Sequence, residues 1–404
     1  VVASMNRGSF SLRLSRVAFQ ILAGVLLLAG LVDLPRQVSV GPISMLGGVL
    51  ILCTLAPLLW WVATPRLHRP LLAVLSPTLL YIAWSFLTTT WSLPDVTGTQ
   101  NLLAPVAFCL LAGMAYRYCR SHENGWKRIT KALLLATGLA VGLYGVNLAI
   151  AGFGTSEIIG ARTFALFALF GLAVCLASWR YGWKPGLVFA LVIVATIGAS
   201  LSRMALAIAL LFFLLAMIPL KDWRGSLRLL AMALVVSLVA YQLVMRVEPI
   251  RERFMEGDTT LQVGGININA TGRTALWDAL LDSYAQSPWI GKGAGQSGSL
   301  INRRFPGLGQ AHSDYLRILH DLGILGLSLW VLGMLTLLVT HIRGWIQADQ
   351  RGDPAAAVHL AAILALISVA LGMATDNPLV YVFVMAPFGI LVGTSLGAMR
   401  RTPQ

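Results

Sequence analysis

A few polar side chains in this otherwise apolar chain have the types and placement to do chemistry. His312 lies in Ala311-His312-Ser313-Asp314-Tyr315-Leu316, which closes the one long hydrophilic stretch and leads into an apolar run studded with Gly323 and Gly326. An imidazole titrates ordinarily at about 6.5, so it can take a proton from a hydroxyl near neutral pH. Arg203 sits in Ser200-Leu201-Ser202-Arg203-Met204, nearly a tight turn between two apolar runs. Arg273 sits in Thr271-Gly272-Arg273-Thr274, at the start of a helical pattern. A guanidinium offers a planar fork for phosphate oxygens, and a helix start already favours an anion. Each has a plainer alternative: a solvated loop histidine, an arginine snorkelling to lipid head groups, or a surface cation. Arg162 opens another apolar run and is a weaker candidate of the same kind. His320, two helical turns beyond His312, reads first as a hydrogen-bonded core residue.

Metal chemistry has little support in the pattern. No Asp-x-Asp pair occurs, and Asp314, Asp321 and Asp376 are scattered, without the oxygen cage a divalent cation needs. Two arginines could instead stabilise a leaving diphosphate. Cys53, Cys109, Cys119 and Cys175 show no paired or metal-ligand spacing and read as buried small hydrophobes without a disulfide. The Gly291-Lys292-Gly293-Ala294-Gly295 run is a weak phosphate-loop signal that follows no strand, so a flexible turn is the better reading. No metal and no cofactor is expected.

The elements that must position these residues are membrane helices. The 404 residues are 57% hydrophobic and 11% charged, against about 25% charged in soluble domains, and the mean hydropathy is +0.77. Twelve apolar runs, at approximately 17–32, 42–63, 71–91, 101–117, 132–152, 163–179, 184–201, 204–220, 228–246, 316–340, 355–375 and 379–398, can each cross a bilayer. The pattern predicts an all-α polytopic membrane protein. The net charge of +14 reflects orientation in the bilayer rather than nucleic-acid binding. With both termini cytoplasmic, only Arg36, Arg162 and Arg203 fall in short outer connections among the Lys and Arg residues. That arrangement puts His312 and His320 alone among the six histidines on the outer side. The first run follows Arg7, Arg13 and Arg16 and has no convincing small-residue cleavage site, so no removable signal peptide is expected.

This organisation divides the chain into helices 1–9 at 1–246, an outer loop domain at 247–315, and helices 10–12 at 316–404. Within the loop, Arg251, Glu252, Arg253, Glu256 and Asp258 make a charged entry, and Gly264 to Asn269 reads as a turn or short extended piece. Thr274 to Ala285 carries Leu276, Leu280 and Leu281 beside Asp278 and Asp282, the pattern of an amphipathic helix on the membrane.

The order Ser202-Arg203, Gly272-Arg273 with Trp277, Pro288-Trp289-Ile290-Gly291-Lys292-Gly293, His312-Ser313-x-x-Leu316, Gly323-Ile324-Leu325-Gly326 resembles the O-antigen ligase and polymerase superfamily of bacterial inner-membrane glycosyltransferases. The motifs cover roughly 190–330 and the topology covers the chain. Three positions depart from the family pattern: Ser313 stands where Asn is usual, Asp321 where Glu is commoner, and the Asn often found after Arg162 is missing. The resemblance implies transfer of a glycan from undecaprenyl diphosphate at the periplasmic face of the inner membrane. His312 would be the catalytic base and Arg203 and Arg273 the diphosphate ligands. Arg162, Trp277, Lys292, Gln310, Ser313, Tyr315 and His320 are possible substrate contacts. The favoured acceptor is lipid A-core, as in lipopolysaccharide biosynthesis. The alternatives are another lipid-linked repeat unit, as in an O-antigen polymerase, or a pilin, as in an O-oligosaccharyltransferase. A monomer in contact with membrane lipids is expected. The non-enzyme rival is a twelve-helix transporter or flippase, which should carry its ionisable residues near the bilayer midplane.

Overall fold

The computed structural model describes residues 2–31, 39–40, 43–64, 68–94, 96–219, 223–249, 251, 260–263, 266–269 and 273–399. Each of the twelve apolar runs becomes a helix. They are α1 (Val2–Leu31), α2 (Met45–Ala63), α3 (Arg69–Leu87), α4 (Val96–Ser121), α5 (Gly125–Ala151), α6 (Ala161–Arg180), α7 (Pro185–Ala199), α8 (Arg203–Ala216) and α9 (Trp223–Arg246). After the loop region come α12 (Asp314–Gln350), α13 (Ala356–Thr375) and α14 (Val382–Ala398). Among the described residues, 7 of these helices hold an apolar stretch long enough to cross a membrane, and shorter apolar stretches lie in α2, α7, α8, α9 and α14. The chain is an all-α polytopic membrane protein.

Small residues let the central helices approach closely. Gly389, Gly393 and Gly397 form one stripe on α14, and a Cβ on any of them would strike the backbone of α4 at Phe108, Ala112 and Tyr116 respectively. Apolar burial gains little inside a bilayer, so such backbone contact is what holds membrane helices together. α6 is buried through almost its whole length and packs against α5, α7, α8 and α13. It therefore carries Arg162, in its first turn, at the end of a helix surrounded by others.

The loop region adds a short hairpin of β3 (Thr260–Val263) and β4 (Ile266–Asn269), then α10 (Arg273–Tyr284) and α11 (Gln296–Arg304). A two-residue pair, β1 (Ser39–Val40) with β2 (Ile43–Ser44), precedes α2. The charged entry residues Glu252, Arg253, Glu256 and Asp258, the turn residues Gly264 and Gly265, and Gly272 lie outside the described residues. α10 is the expected amphipathic helix, with one correction. Its apolar face covers protein, because Leu276 and Leu280 join Ile301 of α11 and Ala311 in a small separate core. Leu281 stays exposed. The cysteines match expectation: all four are free, three buried and Cys109 half-buried.

The structure corrects the reading of the Gly291–Gly295 run as a flexible turn: with the residues just ahead of it, the run forms a fixed strap. Pro288 O and Trp289 O accept from Ile324 N and Leu325 N at 2.9 and 3.3 Å, and Lys292 N and Gly293 N donate to His320 O and Asp321 O at 2.9 and 2.8 Å. This strap fits into a break in α12 at Gly323, where φ is 68° and ψ −172°. A Cβ on Gly323 would overlap Trp289 O, and one on Gly291 would overlap the Asp321 carbonyl. The glycine-rich motifs on the two sides are thus a backbone-to-backbone joint. Gly323→Ala carries both a backbone conformation essentially reserved for glycine, about 1–3 kcal/mol, and that overlap. Gly352→Ala has φ of 64° and nothing within 4 Å, so it bears the cost of a positive φ and no overlap. Thermal unfolding of the two variants in detergent should show the Gly323 variant clearly less stable. Equal midpoints would mean the joint is not the tight contact described.

Candidate active site

His312 is held in place from both sides along the chain. It has a positive φ of 52°, uncommon for a residue with a side chain and often found at functional sites. Before it, Trp277 Nε1 donates to Ala311 O at 3.0 Å. After it, Ser313 caps α12, its Oγ accepting from Leu316 N at 3.5 Å and donating to Met373 O at 3.4 Å. The strained residue is fixed between a tryptophan of α10 and a helix cap.

The imidazole meets a chain of charged groups. Arg162 Nη2 lies 3.2 Å from His312 Nδ1, and the same guanidinium forms a two-pronged ion pair with Asp376, through Nε and Nη2. An arginine has only protons to give. Nδ1 therefore accepts, and in neutral His312 the ring proton sits on Nε2. Arg273 Nη1 donates to Thr375 O at 2.7 Å, one residue from Asp376. Tyr381 places its ring 5.9 Å from the Arg162 guanidinium carbon. Burial, then Arg162, then Arg273 push the His312 pKa down to about 4, with Asp376 opposing them.

A second, fully buried pair sets the positions of the first. Asp314 accepts from Arg317 Nε at 2.7 Å and from Leu379 N at 2.7 Å. Its own N–H donates to Asp376 O at 3.1 Å. Asp376 Oδ1 also accepts from Asn377 N at 2.6 Å. The first turn of α12 is thereby tied to the Asp376–Val380 turn, and His312, just ahead of α12, is brought to the end of α13. Asp376, Asp314 and Arg317 were not singled out as site residues from sequence. Thr375-Asp376-Asn377-Pro378 interrupts two apolar runs at the end of the bundle that also carries Arg162, so an acid in that connection is a signal the sequence does contain.

The other expected site residues fall into distinct places. Arg203 starts α8 after a turn in which Leu201 has φ of 55°. The adjacent Met204 packs on Gly372, its Cε 3.7 Å from where a Cβ would stand. Arg273 thus reaches the last turn of α13 directly, at Thr375 O, while at the start of α8 it is Met204, the neighbour of Arg203, that touches that turn at Gly372. Gln310 is half-buried, two residues ahead of His312. Tyr315 donates its hydroxyl to Ala370 O at 2.9 Å. Lys292 lies on the strap, its Nζ 2.9 Å from Gln286 Oε1, in a separate group from His312.

His320 is not deep in a continuous span, because α12 breaks three residues later. Its Nδ1 is 2.8 Å from Asp321 Oδ1 and its Nε2 3.0 Å from Ser283 Oγ of α10. Asp321 also accepts from Gly295 N, Ser297 N and Ser297 Oγ at 3.0, 2.7 and 3.0 Å, capping α11. Together these bonds fasten the loop helices to α12.

Residues 187–331 match the family model described as O-antigen ligase. The chain is also 26% identical over 301 residues, 70% of its length and 68% of the other's, to a protein of Pseudomonas aeruginosa named O-antigen ligase. Both findings agree with the resemblance carried by the motifs. The match spans Arg203, Arg273 and His312 but neither Arg162 nor Asp376.

The charge arrangement predicts a titration. His312 should stay neutral from pH 7 down to about 4, and Arg162→Gln should raise its midpoint toward 6.5 by removing a cation. NMR of ring-labelled histidine, with His312→Ala to assign the signal, measures both, and a wild-type midpoint at 6.5 would refute the placement. The linked stability has a definite sign. It is present above pH 6.5 and is lost as pH falls from there through about 4, because the unfolded chain takes the proton first.

Proposed function

We propose that this membrane protein is an O-antigen ligase. In this reading it transfers glycan from undecaprenyl diphosphate to lipid A-core at the periplasmic face of the bacterial inner membrane, with both termini cytoplasmic. The observation that carries the reading is His312 held beside Arg162 and Arg273 at the end of α13. A transporter would need its ionisable groups along a path through the midplane. Here the polar cluster sits at helix ends, and two of its members, Arg273 and His312, fall within the segment matched by a ligase family model.

The reaction is a single displacement. The acceptor hydroxyl oxygen attacks the anomeric carbon and forms the new glycosidic bond. The bond from that carbon to the diphosphate oxygen breaks, and undecaprenyl diphosphate departs with its electron pair. The hydroxyl proton passes to His312. Attack from the side opposite the leaving group inverts the anomeric configuration. Arg203 and Arg273 receive the charge that grows on the leaving diphosphate. Asp314, Asp321 and Asp376 each already accept hydrogen bonds from protein donors. That leaves the guanidinium groups as the counter-charge and supports a reaction without a divalent metal.

The resting site holds its base in check. The lone pair on His312 Nδ1 faces Arg162, and burial together with the neighbouring cations weakens its hold on a proton. An arriving diphosphate changes both conditions. It competes for Arg162, freeing the lone pair, and its negative charge offsets the arginines, raising the affinity for a proton. The base becomes effective once the donor is bound, which orders the reaction with donor before acceptor. In the NMR titration, undecaprenyl diphosphate should move the His312 midpoint upward from about 4.

Purified protein with lipid-linked glycan and lipid A-core tests the rest. His312→Ala should keep the protein folded and lower transfer by roughly 10²-fold or more. Arg273→Ala should cost about 2.7–4 kcal/mol in the barrier, and Arg203→Ala a similar amount. Lys at either position should rescue only in part, since the fork is lost. Product should form in excess EDTA with inverted configuration. Near-normal transfer by His312→Ala, retained configuration, or activity restored only by added metal would each defeat the mechanism. If lipid A-core is inert while lipid-linked repeats are elongated or a pilin is modified, the acceptor is wrong and the chemistry stands.

A further inference from the structure

The strap and the connection between α3 and α4 form one exposed apolar surface outside the helical spans. Trp289 is 71% exposed and Leu93 is 85% exposed, and Trp91 and Ile290 are exposed beside them in sequence. The two loops are locked together. Ala294 N donates to Thr88 Oγ1 at 3.1 Å. Gly293 leaves room for Ser92, whose side chain occupies the place a Cβ would take. Trp84 joins the two sides, its ring 5.8 Å from Trp91 and its Nε1 donating to Leu322 O at 3.0 Å.

We infer that Trp91, Leu93, Trp289 and Ile290 form a foot that inserts into the lipid leaflet on the same side as the His312 site. Three observations point to lipid as the occupant. The patch continues directly into exposed apolar residues of the spans, Phe86 and Leu87 at the end of α3 and Ile324 and Leu325 after the break in α12. Its composition, tryptophans with aliphatic side chains, is that of the belt where a membrane protein meets the head groups. Lys292, on the same strap, directs its ammonium to Gln286.

The foot also has a mechanical consequence. The strap that bears Trp289 and Ile290 is bonded to α12 on both sides of Gly323. Residues 312–322 therefore ride at a height above the lipid set by how deeply the foot sits. The foot itself does not depend on the proposed reaction; only its use, holding His312 at head-group level, does.

Spin labels test it in the full chain reconstituted into phosphatidylethanolamine–phosphatidylglycerol vesicles. Labels are placed at Leu93→Cys and Trp289→Cys. Leu230→Cys on α9 is the lipid reference and Arg303→Cys on α11 the water reference, both positions being exposed. The unaltered chain, labelled in parallel, gives the background from its own cysteines. Power saturation should show oxygen collisions exceeding those of a water-soluble nickel chelate at 93 and 289, as at 230. Nickel collisions equal to those at 303 would overturn the inference. So would shielding from both reagents, which would mean a protein covers the patch. Should Trp289→Cys fail to fold, the label at Leu93, on an open loop tip, decides the question alone.

Discussion

The ion pair between Arg162 and Asp376 is the contact on which the site's arrangement depends. It joins the first turn of the buried helix α6 to the turn that ends α13, and it holds Nη2, shared with Asp376, against His312 Nδ1. An unpaired arginine could swing toward solvent or lipid head groups. Paired on two prongs, it has one orientation, and that orientation fixes which nitrogen of His312 carries the proton. Asp376 is in turn held by Asn377 N and, through its carbonyl, by Asp314 N. Three helices and one loop converge on a single carboxylate and its backbone.

Most of the fold was legible in the sequence because a bilayer leaves few choices. Backbone polar groups inside lipid must be satisfied within a helix, so each apolar run had to become one, and all twelve did. The turn ahead of Arg203 and the helix beginning at Arg273 were legible for the same local reasons. The break at Gly323 was not. Its cause is the strap more than thirty residues earlier, whose carbonyls take up the amides that the break sets free. Long-range backbone pairing of that kind leaves no periodicity to read. The glycines on both sides were visible, but as freedom to turn. In the structure they provide space for close approach.

The site was legible in parts. Reading the side of the membrane from charge bias brought His312, Arg162 and Arg273 to one face, and the structure sets all three at the end of α13. Asp376 escaped because an isolated acid in a short connection carries no pattern of its own. Its meaning comes from a partner 214 residues away. Several motif residues have structural occupations. Ser313 caps α12, Tyr315 bonds to α13, Trp277 holds Ala311, and His320 with Asp321 fastens the loop helices. The motif's order and spacing therefore encode a scaffold as well as chemistry, which is why residues with no contact to a substrate occur beside those proposed to have one.

The scaffold also answers a conflict built into the proposed reaction. A leaving diphosphate calls for cations, and a basic imidazole is weakened by them. Separating the two would solve the conflict in space, but His312 and the arginines share one small region. The alternative is to solve it in sequence of events, with the anionic substrate supplying the missing negative charge on arrival. A base weakened and masked until then has a further merit. Water is always present at a membrane surface, and a competent base beside an activated glycan would favour its hydrolysis. A proton acceptor that becomes effective only with the donor seated, and has a hydroxyl-bearing acceptor delivered along the bilayer, limits that loss. The cost is a rigid frame to hold like charges together, and the Asp314–Arg317 pair, the caps and the glycine joint supply that frame.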